Sequence, residues 1–280
     1  MVKNVVMMVL IVAGFNFAQN GVKTNSSYQK KESPNYDRTV TYPLEIPYLR
    51  KEDDLIFHTG YALSYNERHE QANWVAYNLT AEKTVIVFKR GDKFIADPKV
   101  STGSAEEKDY VKSGYDKGHL APAADMGYSE VTMRESFYFS NMSPQNPSFN
   151  RGIWKKLEEQ VRNWAVEYKS LLIVTGPVLE PGLKTIGVNE VSVPNYFYKV
   201  ILDTNSRNVK GIGFIIPNKS SKNQLTSFAV TIDSVERVTG LDFFPSLPDR
   251  IENKVESVVS IPDWKLAGKD KLKKVKNKKR

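Results

Sequence analysis

The order of its periodic segments constrains this chain most: several short β-type runs, one long amphipathic helix, and no regular alternation of strand with helix. The runs Trp74–Leu79, Thr84–Phe88, Leu171–Thr175, Tyr196–Leu202 and Lys210–Ile216 are rich in β-branched and aromatic residues, and each predicts a strand. From about Phe149 to Tyr168, Ile153, Trp154, Leu157, Val161, Trp164, Ala165 and Tyr168 recur at three- and four-residue steps. That spacing draws a single apolar stripe along a helix, with Pro147-Ser148 in front as stop and N-cap. A second helix is expected after Thr231-Ile232-Asp233, with Val235, Val238 and Leu241 inward and Gly240 near its end. A doubly wound parallel fold needs a helix after nearly every strand. This pattern points instead to the α+β class, with a central, mainly antiparallel sheet flanked by helices.

A chain of 280 residues, 40% hydrophobic and 26% charged, buries a real core. It contains no cysteine, which excludes thiolate zinc sites, cysteine nucleophiles and disulfide staples. Lys3, the apolar run Val5–Ala13 and the step Ala18-Gln19 follow the template of a secretory signal peptide, so residues 1–18 are expected to be removed and the protein to be secreted or periplasmic. The apolar run is shorter than the roughly 20 residues a membrane span needs, and no other segment resembles one, so no membrane partner is expected. Residues 19–45 are polar and read as an unstructured leader, 46–262 as the folded domain, and 263–280 as a basic tail. The net charge of +8 is mostly local, because Lys269–Arg280 carries seven lysines and one arginine against one aspartate. Such a tail adds affinity for polyanions or stays solvated; it does not by itself define a function.

The chemistry gathers in two segments. The first is Asp116-Lys117-Gly118-His119, where a histidine able to accept a proton near neutral pH follows a glycine that lets the backbone come close to a bulky phosphate. The second, Ser140-Asn141-Met142-Ser143-Pro144-Gln145-Asn146-Pro147-Ser148-Phe149-Asn150-Arg151-Gly152, packs amides and turns ahead of the amphipathic helix. Asn150 falls at the start of that helix, and Glu158, eight residues on, is about 80° around a regular helix from it. One amide oxygen and a nearby carboxylate suffice for a hard cation that keeps most of its waters. Asn141, Asn146 and Asn150 read equally as turn and cap residues. His58, beside the first strands, reads as a structural hydrogen-bonder, and His69, in Glu67-Arg68-His69-Glu70, as part of a charged loop.

Together with Phe149-Asn150-Arg151-Gly152-Ile153-Trp154, these motifs resemble the DNA/RNA non-specific endonucleases, the ββα-metal group that includes mitochondrial endonuclease G. Trp74-Val75-Ala76-Tyr77, Val174-Thr175-Gly176-Pro177 and Leu241-Asp242-Phe243-Phe244-Pro245 extend the resemblance from about Tyr48 to Ile261. It implies a ββα-metal fold and a sugar-non-specific endonuclease acting on DNA and RNA. His119 is then the general base, Asn150 the ligand of Mg2+ (Mn2+ as the alternative), Glu158 the residue that orders water around the metal, and Asn141 a brace for the site. Arg90 is the candidate for the scissile phosphate, with Lys89 adjacent; Lys117 and Arg151 are candidates for binding substrate. Lys117 stands where the family usually has arginine, which keeps the charge and loses the planar fork. Alternatives are a metal-dependent phosphodiesterase of smaller substrates and an inactive nucleic-acid-binding protein. Nothing in the pattern chooses between a monomer and a homodimer.

Overall fold

A computed structural model of the chain describes residues 42–50, 54–91 and 93–266. The expected signal peptide and most of the expected leader and tail lie outside the described residues. Eleven strands and five helices are seen among the described residues. In chain order they are β1 (Asp54–Phe57), β2 (Ala62–Asn66), β3 (Gln71–Thr80), α1 (Glu107–Tyr110), β4 (Asp116–His119), α2 (Glu130–Glu135) and β5 (Met142–Gln145), then α3 (Lys155–Tyr168), β6 (Ser170–Pro177), β7 (Thr185–Ile186), β8 (Val191–Ser192), β9 (Tyr196–Asp203), β10 (Lys210–Pro217), β11 (Ala229–Val230), α4 (Ile232–Thr239) and α5 (Asp249–Ser257).

Seven strands form the central sheet in the order β1-β2-β3-β6-β9-β10-β11, and every pairing within it is antiparallel. The fold is α+β, as the order of segments requires. Successive residues of β3 point to opposite faces. Val75 and Tyr77 join a core with Phe197, Ile201 and Phe214, roofed by Trp154, Leu157, Val161 and Trp164 of the α3 region. Trp74 and Ala76 join the opposite core with Tyr198, Val200, Ile232, Val235 and Val255. The sheet is thus covered on both sides, which explains why β6 and β9 are buried along nearly their whole length and read as mainly apolar runs. Helices α4 and α5 sit close on the second face. A Cβ on Gly211 of β10 would come within 2.6 Å of Ile232 and 2.8 Å of Val255, so only glycine fits there.

Four of the five expected strands form. The one expected over Thr84–Phe88 does not: Glu82–Thr84 is a 3-10 turn, and Val85, Ile86 and Val87 stay 56–66% exposed. Both flanks of β3, the strand it follows, are already taken by β2 and β6, so this run cannot fold back beside β3. Its Val87 and Phe88 N–H groups share the carbonyl of Gly127 instead. The long helix opens differently from expectation. Phe149–Trp154 is a wide π turn in which Gly152 leaves helical geometry (φ −108°, ψ −106°), and regular α-helix begins at Lys155. Ser148 makes no cap; the Asn146 carbonyl accepts from Phe149 and Asn150, and its Oδ1 accepts from Ser148. Around α4 the outcome matches expectation, with Thr231 accepting from the Ser234 N–H and Gly240 closing the helix at φ +69°.

Packing runs past both expected domain edges. Tyr42 and Leu44, inside the stretch read as leader, pack against the second core. Trp264 and Leu266, inside the stretch read as tail, are buried in the first, where the Trp264 indole N–H donates to the Gly211 carbonyl at 3.2 Å. One topological fact places the site. The chain leaves the sheet at Thr80 and returns at Ser170, residues that pair with each other across β3 and β6. The β4–β5 hairpin pair and α3 all lie in this crossover.

Candidate active site

Two short strands build the floor. Antiparallel pairing of β4 with β5 sets Asp116 opposite Gln145 and His119 opposite Met142. A Cβ on Gly118 would meet the Gln145 side chain at 2.1 Å, so the glycine makes room for that buried amide, not for a phosphate as the sequence suggested. His119 ends β4 and is 8% exposed, with its ring against Phe137 at 4.9 Å and Phe94 at 5.7 Å. Burial, followed by the nearby Arg90 guanidinium, pulls its pKa down to about 3. The imidazole is therefore neutral at any physiological pH, and its Nε2 is buried without a hydrogen-bond partner.

Asn141 is fully buried and uses its whole amide as a clamp. Its Oδ1 accepts from the Ala121 N–H at 2.9 Å, and its Nδ2 donates to the carbonyls of Ala121 at 3.0 Å and Ser136 at 2.8 Å. It fixes the backbone just after His119 and has no donor left for a substrate. Asp116 ties β4 to the π turn. Its Oδ2 accepts from Asn150 Nδ2 at 2.9 Å, which turns the Asn150 oxygen the other way, where no described residue donates to it. Arg151 grips the same carboxylate through Nε at 2.9 Å and Nη2 at 2.6 Å.

Glu158 is half-buried on the first full turn of α3. Burial raises its pKa, with Lys199 opposing that shift most strongly and Asp125 reinforcing it. Arg90 is exposed, stacks its guanidinium over Phe137 at 5.4 Å, and its charge is felt at both His119 and Glu158. The site thus offers three acceptors, the Asn150 oxygen, the Glu158 carboxylate and the His119 ring, with the Arg90 cation at the rim. Oxygen acceptors without protein donors fit a hard divalent cation that keeps most of its water.

The DNA/RNA non-specific endonuclease family matches residues 46–250. The chain belongs to that family. The zebrafish (Danio rerio) nuclease EXOG, mitochondrial, is 38% identical over 208 residues, covering 68% of this chain and 61% of that protein. Nuclease C1 of Cunninghamella echinulata is 38% identical over 215 residues, covering 69% and 84%. Among solved structures, a crystal structure of an EndoG/EndoGI complex superposes with a TM-score of 0.68 at 32% identity, covering 74% of this chain and 91% of that one. The chain matches less than two thirds of the zebrafish protein's length. The expected secreted or periplasmic location is contradicted by these relatives: the zebrafish, mouse, human and yeast proteins are named as mitochondrial nucleases.

Set against this family's expectations, the two substrate-binding candidates are otherwise engaged. Lys117 pairs with both oxygens of Glu107 at 2.6 Å and stands over the Phe94 ring at 4.2 Å, and Arg151 is held by Asp116. Arg151 keeps its Nη1 donors on a side chain 73% exposed, and the Lys117 ammonium keeps one of its three donors, so each can meet a phosphate while its carboxylate partner orients it. The 80° estimate between Asn150 and Glu158 assumed a regular helix, and the π turn between them replaces it. His58 and His69 are structural. His58 Nε2 pairs with Asp97 at 2.8 Å, and His69, buried and not in an open loop, bonds Ser192 at 2.8 Å.

Sequence reading missed Arg162, Asp125 and Lys199. Arg162 donates to Asp125 Oδ1 at 2.8 Å, and Tyr77 donates to the other oxygen at 2.9 Å. The signal for Arg162 was available, one helical turn beyond Glu158. Lys199 had no local signal, because it lies in an otherwise apolar strand.

Proposed function

We propose that this chain is a divalent-metal-dependent endonuclease that hydrolyses DNA and RNA phosphodiesters without sequence preference. The observation that carries the reading is the neutral, buried His119 imidazole beside Arg90 and in the same crossover as Asn150 and Glu158. Magnesium or manganese would be held by the Asn150 oxygen, with Glu158 ordering its water, and would supply charge neutralisation at the phosphate.

His119 takes a proton from water as the water oxygen attacks phosphorus, one P–O bond forming while the opposite P–O bond breaks. The ring stands deprotonated and able to accept at every physiological pH, and the negative charge of a bound phosphate would raise its basicity toward the operating pH, where a general base works best. Arg90 faces the charge that grows on the phosphoryl oxygens. Asn141 holds the backbone that aims the histidine, and Asp116 holds the Asn150 amide. Lys117 and Arg151 contact the polyanion through the donors their carboxylate partners leave unused. Backbone phosphates carry no sequence information, so a site built from these groups is indifferent to sequence.

The experiment is supercoiled plasmid and structured RNA incubated with wild-type protein and His119→Ala, with magnesium or with EDTA. Both substrates are expected to be cut only by the wild type with metal. Cleavage in EDTA, or a His119→Ala variant within tenfold of wild type, overturns the mechanism. Cutting of model diesters alone replaces the nuclease with a small-substrate phosphodiesterase.

A further inference from the structure

Lys199 is the one lysine among the largest fully buried side chains, in a central strand of the sheet between β6 and β10. Among the described residues its ammonium has no hydrogen-bond partner, and it sits 5.0 Å from the ring of Trp154, which ends the π turn that holds Asn150. A leucine would fill that space without the penalty of burying a charge, which reaches several kcal/mol for an unpaired ion. The neighbouring charges show what the ammonium answers. Asp125 is spent on Arg162 and Tyr77, and Arg162 on Asp125. Glu158 accepts from no described donor and lies four residues, about one helical turn, beyond Trp154, so the helix sets it on the side where Lys199 meets the Trp154 ring. Lys199 is also the charge that acts on its carboxylate most strongly after burial. The reverse also holds, with Glu158 the first charge that favours the Lys199 ammonium.

We propose that Lys199 is the positioning residue for Glu158, supplying from beneath the helix the positive charge that holds this carboxylate toward the cation and phosphate. The proposal rests on the nuclease reading above. Lys199 touches neither metal nor substrate and acts through Glu158 alone. The charged and titratable groups around Glu158 are Lys199 from β9, Arg162 from its own helix, Asp125 from the segment before α2, Arg90 from the rim, and Tyr77 from β3. Without Lys199, Asp125 repels Glu158 with less opposition, and the carboxylate keeps its proton to higher pH.

The test is a double-mutant cycle of wild type, Lys199→Met, Glu158→Gln and the double variant. In the magnesium-loaded enzyme at neutral pH, Lys199→Met is expected to lower turnover about tenfold in the wild-type background and not at all in Glu158→Gln, a coupling within the range for residues in one network. The acid limb of its pH profile moves upward, which weaker packing against Trp154 would not cause, and Lys199→Arg restores the wild-type limb. In EDTA, the urea midpoint falls with Lys199→Met in the wild type and holds in Glu158→Gln. Equal losses in both backgrounds, or an unmoved acid limb, overturn the proposal. If Lys199→Met does not fold alone, the double variant is expected to fold with Glu158→Gln activity, because removing both charges leaves neither one uncompensated; its failure to fold overturns the proposal too. A wild type that never cleaves nucleic acid defeats the nuclease reading, while the urea cycle in EDTA still reads the Lys199–Glu158 coupling by itself.

Discussion

Replacing His119 with asparagine should make the protein more resistant to acid. The folded state holds this imidazole at a pKa of about 3, against 6.5 for an ordinary histidine. The sign follows from proton counting. Between pH 6.5 and 3 the unfolded chain binds a proton at this residue and the folded one does not, so stability falls as pH falls through that window. At pH 7 the penalty is small, on the order of 0.2 kcal/mol; at pH 5 it reaches about 2 kcal/mol, one pKa unit being about 1.36 kcal/mol. Asparagine removes the titration and keeps a polar side chain of smaller size, so its own effect on packing is the same at both pH values. The assay is urea unfolding of wild type and His119→Asn at pH 7 and pH 5. The expected result is a difference of differences of about 2 kcal/mol in favour of the variant at the lower pH. If the gap between the two proteins is the same at both pH values, the histidine takes its proton in the folded state, and the neutral base invoked for catalysis is lost with it.

Asn150→Ala is expected to abolish plasmid cleavage at millimolar magnesium, and Glu158→Gln to be less damaging because its contact with the cation runs through water; a magnesium titration of both variants checks the order. Asn141→Ala breaks three buried hydrogen bonds and strands two Ala121 backbone groups, a destabilisation of about 3 kcal/mol measurable by chemical denaturation. Truncation after residue 262 removes Trp264 from the core and should cost about 3–5 kcal/mol, the range for deleting a buried aromatic. Deleting Lys269–Arg280 should flatten the salt dependence of DNA binding by about 0.9 in log–log slope for each phosphate the tail had neutralised, with turnover at saturating substrate unchanged.

The fold class was legible because β3, β6, β9 and β10 are long, and their two-sided burial writes dense β-branched runs into the sequence. Thr84–Phe88 carries the same composition with no room beside β3, and composition cannot show which edges are taken. Strands β4 and β5 were invisible for the opposite reason: four residues each, rich in Gly, Pro and Lys, they pair only because the crossover brings them together. The proposed site residues His119, Asn150 and Glu158 were singled out in the sequence by type, spacing and family resemblance. Their supports were not. Asp116 was in plain view within the motif, yet its grip on Asn150 and Arg151 spans 34 and 35 residues of chain. Lys199 reaches the site from a strand beyond the crossover, where neither periodicity nor neighbours hint at chemistry.

The pairing of Thr80 with Ser170 makes the whole segment that carries the candidate site a closed loop whose two ends are about one strand spacing apart, about 4.8 Å. Arg90, His119, Asn141, Asn150 and Glu158 all belong to that loop, and the sheet that anchors it is complete without them. Such an arrangement separates inheritance of the scaffold from change in the active site. Insertions within the loop alter its closure entropy only logarithmically, so groove depth and reach can drift while the anchor pair stays hydrogen-bonded. Several contacts cross this division, among them Tyr77 to Asp125 and Ser143 to Gln71, with Lys199 to Glu158 as the proposed addition; these strand positions are where a grafted loop would fail.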